Sequence, residues 1–243
     1  MKSIFHISLT KFSFIAFLIV SLASCSKALD MSKYQEASKV WEKEIQQLEA
    51  KDKAETDPQN AILFIGSSSI RLWKNIKTDM QPYPVIQRGY GGSKFSDNIF
   101  YIERLVKPHD FRALALFFAN DITGSNNDRT PEELTAIVKE TIKKVRVIKP
   151  DKPIFLIEIT PTNSRWKVWS QAKQANEMLK NMSQKMKNVY FIETAAAYLD
   201  AEGKPRGELF IADQLHQNQK GYDIWAAIIK KRLDEILKLG IKN

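Results

Sequence analysis

Apolar residues along the chain follow two rhythms that take turns. From Tyr34 they recur at steps of three and four, at Ala37, Trp41, Ile45 and Leu48, which predicts a helix over 32–52 with one apolar face. The polar run "KDKAETDPQN" ends it. Short runs that are apolar without polar alternation then appear at 61–65, 85–87, 113–118, 153–159 and 189–192. Between and after them the spacing is helical, from about 69 and over 96–106, 131–148, 169–187 and 218–238. Strands that are apolar at successive positions are buried on both faces, as in a parallel sheet covered by helices on each side. The pattern predicts an α/β protein, a three-layer α/β/α sandwich around about five parallel strands. One helix start is marked in full: Thr130-Pro131-Glu132-Glu133 reads as N-cap, N1 proline and capping-box glutamate.

The first 24 residues belong to none of these units. Lys2 and Lys11 precede an apolar run from Phe12 to Ala23, and Leu22-Ala23-Ser24-Cys25 follows. The run is short for about 30 Å of hydrocarbon, and the layout is that of a signal peptide. Its end resembles a bacterial lipobox, in which Cys25 becomes the first mature residue and carries lipid. On that reading the exported protein is held at the bacterial cell envelope by acyl chains, on the periplasmic or outer surface, and 25–243 is one domain. The plainer alternative is an ordinary secretory peptide with an incidental cysteine. Cys25 is the only cysteine, so neither an internal disulfide nor a cysteine metal cluster can be built.

Composition narrows the classes further. With 243 residues, 44% of them hydrophobic, the chain fits one domain with a full core. The net charge of +9 is spread as scattered lysines, with short pairs only at Lys143-Lys144 and Lys230-Lys231. Nucleic-acid binding asks for a denser basic stripe with interleaved aromatics, so no nucleic-acid partner is expected. No HExxH or other ligand set is present, and neither a metal nor another cofactor is expected. The sequence carries no signal for an oligomeric state.

In open parallel sheets ligands bind beyond the carboxyl ends of the strands, so the loops there are read together. The first strand ends in Gly66-Ser67-Ser68-Ser69, the second in "RGYGGSKFSD", the third in Ala119-Asn120-Asp121 and the fourth in "TPTNSRW". After the fifth comes "ADQLHQNQKGYDIW", with Asp213 and His216. A serine nucleophile needs a base, and the base needs an acceptor to orient it. His109 lies in "KPHDF" before the third strand, hence at the opposite sheet edge, where it reads as a packing residue. His216 lies at the right edge, three residues after Asp213. Backbone N–H groups at Gly91-Gly92 and the Asn120 amide are candidates to hold an oxyanion. Each also has a plain structural use, as a turn or a cap.

The ordered set of G-x-S near the start, glycine after the second strand, Asn-Asp after the third and D-x-x-H before the last helix resembles the SGNH hydrolase superfamily, the GDSL esterases and lipases. The likeness covers the chain from about residue 35. "FIGSSSIRLW", "SRWKVW" and "LHQNQKGYDIW" further resemble a bacterial subgroup near the platelet-activating-factor acetylhydrolase type. The resemblance implies a flavodoxin-like sheet and a serine-dependent ester hydrolase without a metal. It implies Ser68 as nucleophile, Asp213 and His216 as the other triad members, and Ser68, Gly92 and Asn120 as oxyanion donors. Two positions depart from the pattern: Ser67 replaces the motif aspartate, and Phe118 stands where G-x-N-D has glycine, so the loop carrying Asn120 is expected to be reshaped or shifted by one residue.

Arg165, Trp166 and Trp169 follow the fourth strand and are candidate substrate contacts, with stacking on a sugar ring one use of the aromatics and plain packing the other. The substrate is expected to be a small-molecule, lipid or glycan ester. Acyl transfer by the same triad, or a lipid-anchored binding protein on the same fold, stays open. A G-x-S-x-G elbow would need glycine at Ile70, which excludes the α/β-hydrolase pattern.

Overall fold

A computed structural model describes residues 30–237. Cys25 and the predicted leader lie outside the described residues. Five strands, β1 (Ile62–Gly66), β2 (Val85–Gly89), β3 (Ala113–Phe117), β4 (Ile154–Ile157) and β5 (Val189–Ile192), form one sheet in the order β2-β1-β3-β4-β5. Every pairing is parallel. Gly66 stands in register with Gly89 on one side and Phe117 on the other. The chain leaves β1 for β2 at one edge and returns to β3 on β1's other flank. The crevice of this open sheet therefore opens beyond the carboxyl ends of β1 and β3.

The helices are α1 (Ser32–Ser38), α2 (Glu42–Ala54), α3 (Ser68–Arg71), α4 (Ile76–Asp79), α5 (Phe95–Asn98), α6 (Ile102–Val106), α7 (Pro131–Ile148), α8 (Trp169–Gln184) and α9 (Gln219–Leu237). They cover both faces. Leu63, Ile65, Leu114 and Leu116 pack with Ile45, Ile137, Val138 and Leu179 of α2, α7 and α8. Ile62, Phe64, Ala113 and Ala115 pack with Ile70, Ile76, Trp225 and Ile229 of α3, α4 and α9. Alternate residues of one strand thus feed opposite layers, which is why the strands are apolar without a break.

Thr130 caps α7 as expected: its hydroxyl accepts from the Glu133 N–H at 3.1 Å, and the Glu133 carboxylate accepts from the Thr130 N–H at 3.1 Å. Two predicted helices are broken. The first divides at a 3₁₀ turn over Lys39–Trp41, and the one expected over 96–106 divides into α5 and α6. The Tyr101 hydroxyl, from the second break, donates to the Ser38 carbonyl at 3.0 Å beside the first, so the two breaks lock together. The third and fourth strands end earlier than the apolar runs do, at Phe117 and Ile157, and the residues beyond them enter the loops that build the site.

Candidate active site

The turn after β1 is drawn tight by close packing. A side chain at Gly66 would run into the Phe117 carbonyl and the Ile70 side chain, so only glycine lets β1 end this close to β3. Ser67 is buried, and its N–H donates to the Phe117 carbonyl at 3.1 Å. Ser68 follows as the first residue of α3. From α9, Tyr222 donates its hydroxyl to the Ser69 carbonyl at 2.9 Å and stacks on Trp73, with ring centroids 5.2 Å apart and planes 12° from parallel. The last helix therefore holds the serine turn from below.

Asp213, His216 and Ser68 form a line. His216 Nε2 lies 2.9 Å from Ser68 Oγ, and His216 Nδ1 lies 2.6 Å from Asp213 Oδ2. Asp213 Oδ1 accepts the N–H groups of Leu215 and His216, each at 2.9 Å, which folds the D-x-x-H segment into one turn. Gln214 takes a φ of +55° at the bend, a conformation rare outside glycine. Partial burial acts to raise the Asp213 carboxyl, but the hydrogen bonds from the His216 ring and the two backbone N–H groups outweigh it and hold the group below the usual aspartate range. An ionised Asp213 only accepts, so Nδ1 carries the proton and Nε2 is left to accept from the serine hydroxyl.

The second and third loops meet beside Ser68. Gly91 (φ +34°) donates its N–H to Glu44 of α2 at 2.8 Å, and a side chain there would strike the Trp41 ring. Gly92 has open space on its Cα side, and neither its N–H nor that of Ser68 finds a partner among the described residues. Asp121, fully buried, accepts the N–H groups of Phe95 at 2.7 Å and Ser96 at 3.2 Å and so ties the third loop to the second. Burial pushes its carboxyl up to about 6, against these two donors, which favour the anion. Asn120 donates its amide to the Ser93 carbonyl at 2.9 Å. Phe118, where the glycine was expected, is buried against Phe95 with centroids 4.8 Å apart, and Asn120 still reaches the cavity that Ser68 and His216 line.

That cavity has apolar walls from Ile122, Ile159, Val168 and Trp169. Of the candidates after β4, Arg165 and Trp169 line it and Trp166 does not. Trp166 is stacked on Trp169 with centroids 6.2 Å apart, and the Lys204 ammonium sits 5.2 Å from its ring. Arg165 donates to the Ala119 carbonyl at 2.7 Å and to Asn120 Oδ1 at 2.6 Å. Two further contacts join the fourth loop to the Asp213–His216 turn. Asn163 donates to the Gln214 side chain at 2.7 Å, and the Ser164 N–H donates to the Gln214 carbonyl at 3.2 Å. Sequence reading singled out neither Asn163 nor Gln214, since a loop-to-loop bond across 51 residues leaves no local pattern.

His109 sits at the other end of the sheet, as its place before β3 predicts. It is buried, with Nδ1 3.0 Å from Asp57 and Nε2 3.3 Å from Asp52, and Arg88 pairs with Asp52 in the same cluster.

Neither a protein-family model nor a curated relative matches the chain. Solved structures do, and they give the fold its class: five parallel strands between helices, as in GDSL-like lipases and related esterases. A Streptococcus pneumonia protein provisionally described as a platelet activating factor superposes with a TM-score of 0.68 at 20% identity, over 82% of this chain and 97% of that one. A GDSL-like lipase from Bacteroides thetaiotaomicron gives 0.64 at 14% identity, over 79% and 97%. A catalytic mutant of an acetylxylan esterase from Geobacillus stearothermophilus gives 0.59 at 15%, over 72% and 94%. What is shared at these identities is the fold.

Proposed function

We propose that this chain is an SGNH-type serine hydrolase of carboxylic esters. The observation that carries the reading is the line from Ser68 through His216 to Asp213, at the mouth of an apolar cavity in the sheet's crevice. Ser68 Oγ attacks the ester carbonyl as His216 Nε2 takes its proton. The negative charge that develops on the carbonyl oxygen is met by the N–H groups of Ser68 and Gly92 and by the Asn120 amide. Collapse breaks the bond to the alcohol, which leaves with the proton from the imidazolium. Water then repeats the sequence on the acyl-serine and releases the acid. Asp213 holds the imidazole in the required tautomer throughout.

The apolar wall of Ile122, Ile159 and Val168 suits the acyl chain, which leaves the alcohol portion, a small molecule, lipid or glycan, toward the mouth. The likeness in fold to an acetylxylan esterase supports an ester substrate of this kind. The leader and Cys25 support placement at the bacterial envelope through lipid, and Cys25→Ser should release active enzyme from membranes. The central test is labelling by a fluorophosphonate probe with peptide mapping, alongside turnover of p-nitrophenyl esters of graded acyl length. Adduct on Ser68 and loss of both adduct and turnover in Ser68→Ala are expected. Undiminished turnover in Ser68→Ala would overturn the proposal.

A further inference from the structure

Arg165 is the charged side chain of the cavity wall that the mechanism above leaves unused. Burial lowers its pKa, which marks a guanidinium with much of its hydration stripped away. Among the described residues it joins no ion pair, and Asp128 reaches it only through its field. Its two donors instead grip the third loop, one on the Ala119 carbonyl and one on Asn120 Oδ1. The planar fork suits two acceptors on adjacent residues, and a lysine could not reproduce it.

These contacts decide which way the Asn120 amide faces. With Oδ1 toward Arg165 and Nδ2 toward the Ser93 carbonyl, both neighbours are satisfied. The flipped amide would set its NH₂ against the guanidinium and its oxygen against the Ser93 carbonyl, two repulsions in place of two bonds. One N–H of Nδ2 is used on Ser93 and the other is left over. We infer that Arg165 is a positioning residue: it locks the Asn120 amide with its spare N–H available to the oxyanion. It thereby does, from the fourth loop, what the shape of the third loop would otherwise have to do where Phe118 replaces glycine.

The inference rests on the hydrolase reading, and one experiment separates their failures. Arg165→Met, Arg165→Lys, Asn120→Ala and the double variant Asn120→Ala/Arg165→Met are compared for kcat, KM, melting temperature and fluorophosphonate adduct. Arg165→Met should lower kcat about 10- to 100-fold with KM within about twofold, because an oxyanion contact acts in the transition state. Arg165→Lys, which keeps charge but not the fork, should recover only part of the loss. The double variant should be no slower than Asn120→Ala alone, since the two residues act through one bond. A raised KM with unchanged kcat in Arg165→Met would make Arg165 a substrate contact and overturn the inference, as would losses that multiply in the double variant. If Arg165→Met does not fold, the same cycle is read with Arg165→Lys. Wild-type enzyme that turns over without Ser68 adduct would sink the hydrolase mechanism itself, whereas Ser68 adduct with full turnover in both Arg165 variants would sink only the role of Arg165.

Discussion

Among the described residues two histidine–aspartate clusters stand at opposite ends of one sheet, alike in the bond at Nδ1 but not in their surroundings. His216 pairs with one carboxylate through Nδ1 and turns Nε2 to a serine, beside a cavity. His109 pairs with Asp57 through Nδ1 but turns Nε2 toward a second carboxylate, Asp52, which also pairs with Arg88. The side chain of His216 is 22% exposed and that of His109 is 2% exposed. An oriented imidazole is therefore common to both, and what differs is the group facing the second nitrogen and the cavity beside it. Arg88 and the two carboxylates leave His109 nothing to activate.

The comparison breaks first at turnover. His216→Ala should lower kcat by roughly 10⁴- to 10⁶-fold, while His109→Ala measured in the same assay should keep kcat near the parent value. Equal losses would mean that the two ends of the sheet are not functionally distinct. Next come the carboxylates: Asp213→Asn should cost about 10³- to 10⁴-fold in kcat by losing the tautomer, and Asp57→Asn should cost none. Steady-state kinetics on that pair checks whether orientation matters only where a nucleophile waits.

Stability should reverse the ranking. His109→Ala removes one partner from a buried charged cluster and should lower unfolding free energy by about 3 kcal/mol, read by urea titration, whereas His216→Ala should move it little. A pH-dependent effect concerns Asp121. Because its carboxyl is raised in the folded protein to about 6 from an ordinary 3.8, the native state holds the proton more tightly than the unfolded one. Its contribution is full below the unfolded value and is lost as pH rises through about 6. Asp121→Asn should flatten that falling part of the stability–pH curve, and an unchanged slope in the variant would show that Asp121 titrates normally.

The strands were legible in the sequence because each is packed on two faces. Ile62 and Phe64 go one way and Leu63 and Ile65 the other, so the run has no polar gap to hide it. The breaks in the first helix and in 96–106 were not legible. No proline or glycine marks Lys39–Trp41 or Ile99-Phe100-Tyr101; the bond from Tyr101 to Ser38 joins them, and it is made only once the chain is folded. Ser68, Asp213 and His216 could be singled out because few residue types suit such chemistry and each lies just after a strand or just before the last helix. Arg165 drew notice for its position after β4, but its grip on Asn120 spans 45 residues and could not be seen. Of the two tryptophans after β4, only Trp169 lines the cavity, for a geometric reason. The 3₁₀ turn over Asn163–Val168 carries Trp166 off the cavity wall and leaves Trp169, at the start of α8, on it.

The approach of Gly91 to Trp41 has a use for anyone who would alter this protein. The indole of the amino-terminal segment fills the space where a side chain at 91 would grow, so the two positions form a bump and a hole. A mutagenesis library that varies residue 91 alone would be nearly empty of active members. One that pairs Gly91→Ala with a smaller residue at Trp41 should restore some, although the positive φ still penalises the alanine. Randomised together, the pair becomes a handle on the second loop that leaves the sheet, the serine turn and the histidine turn unaltered.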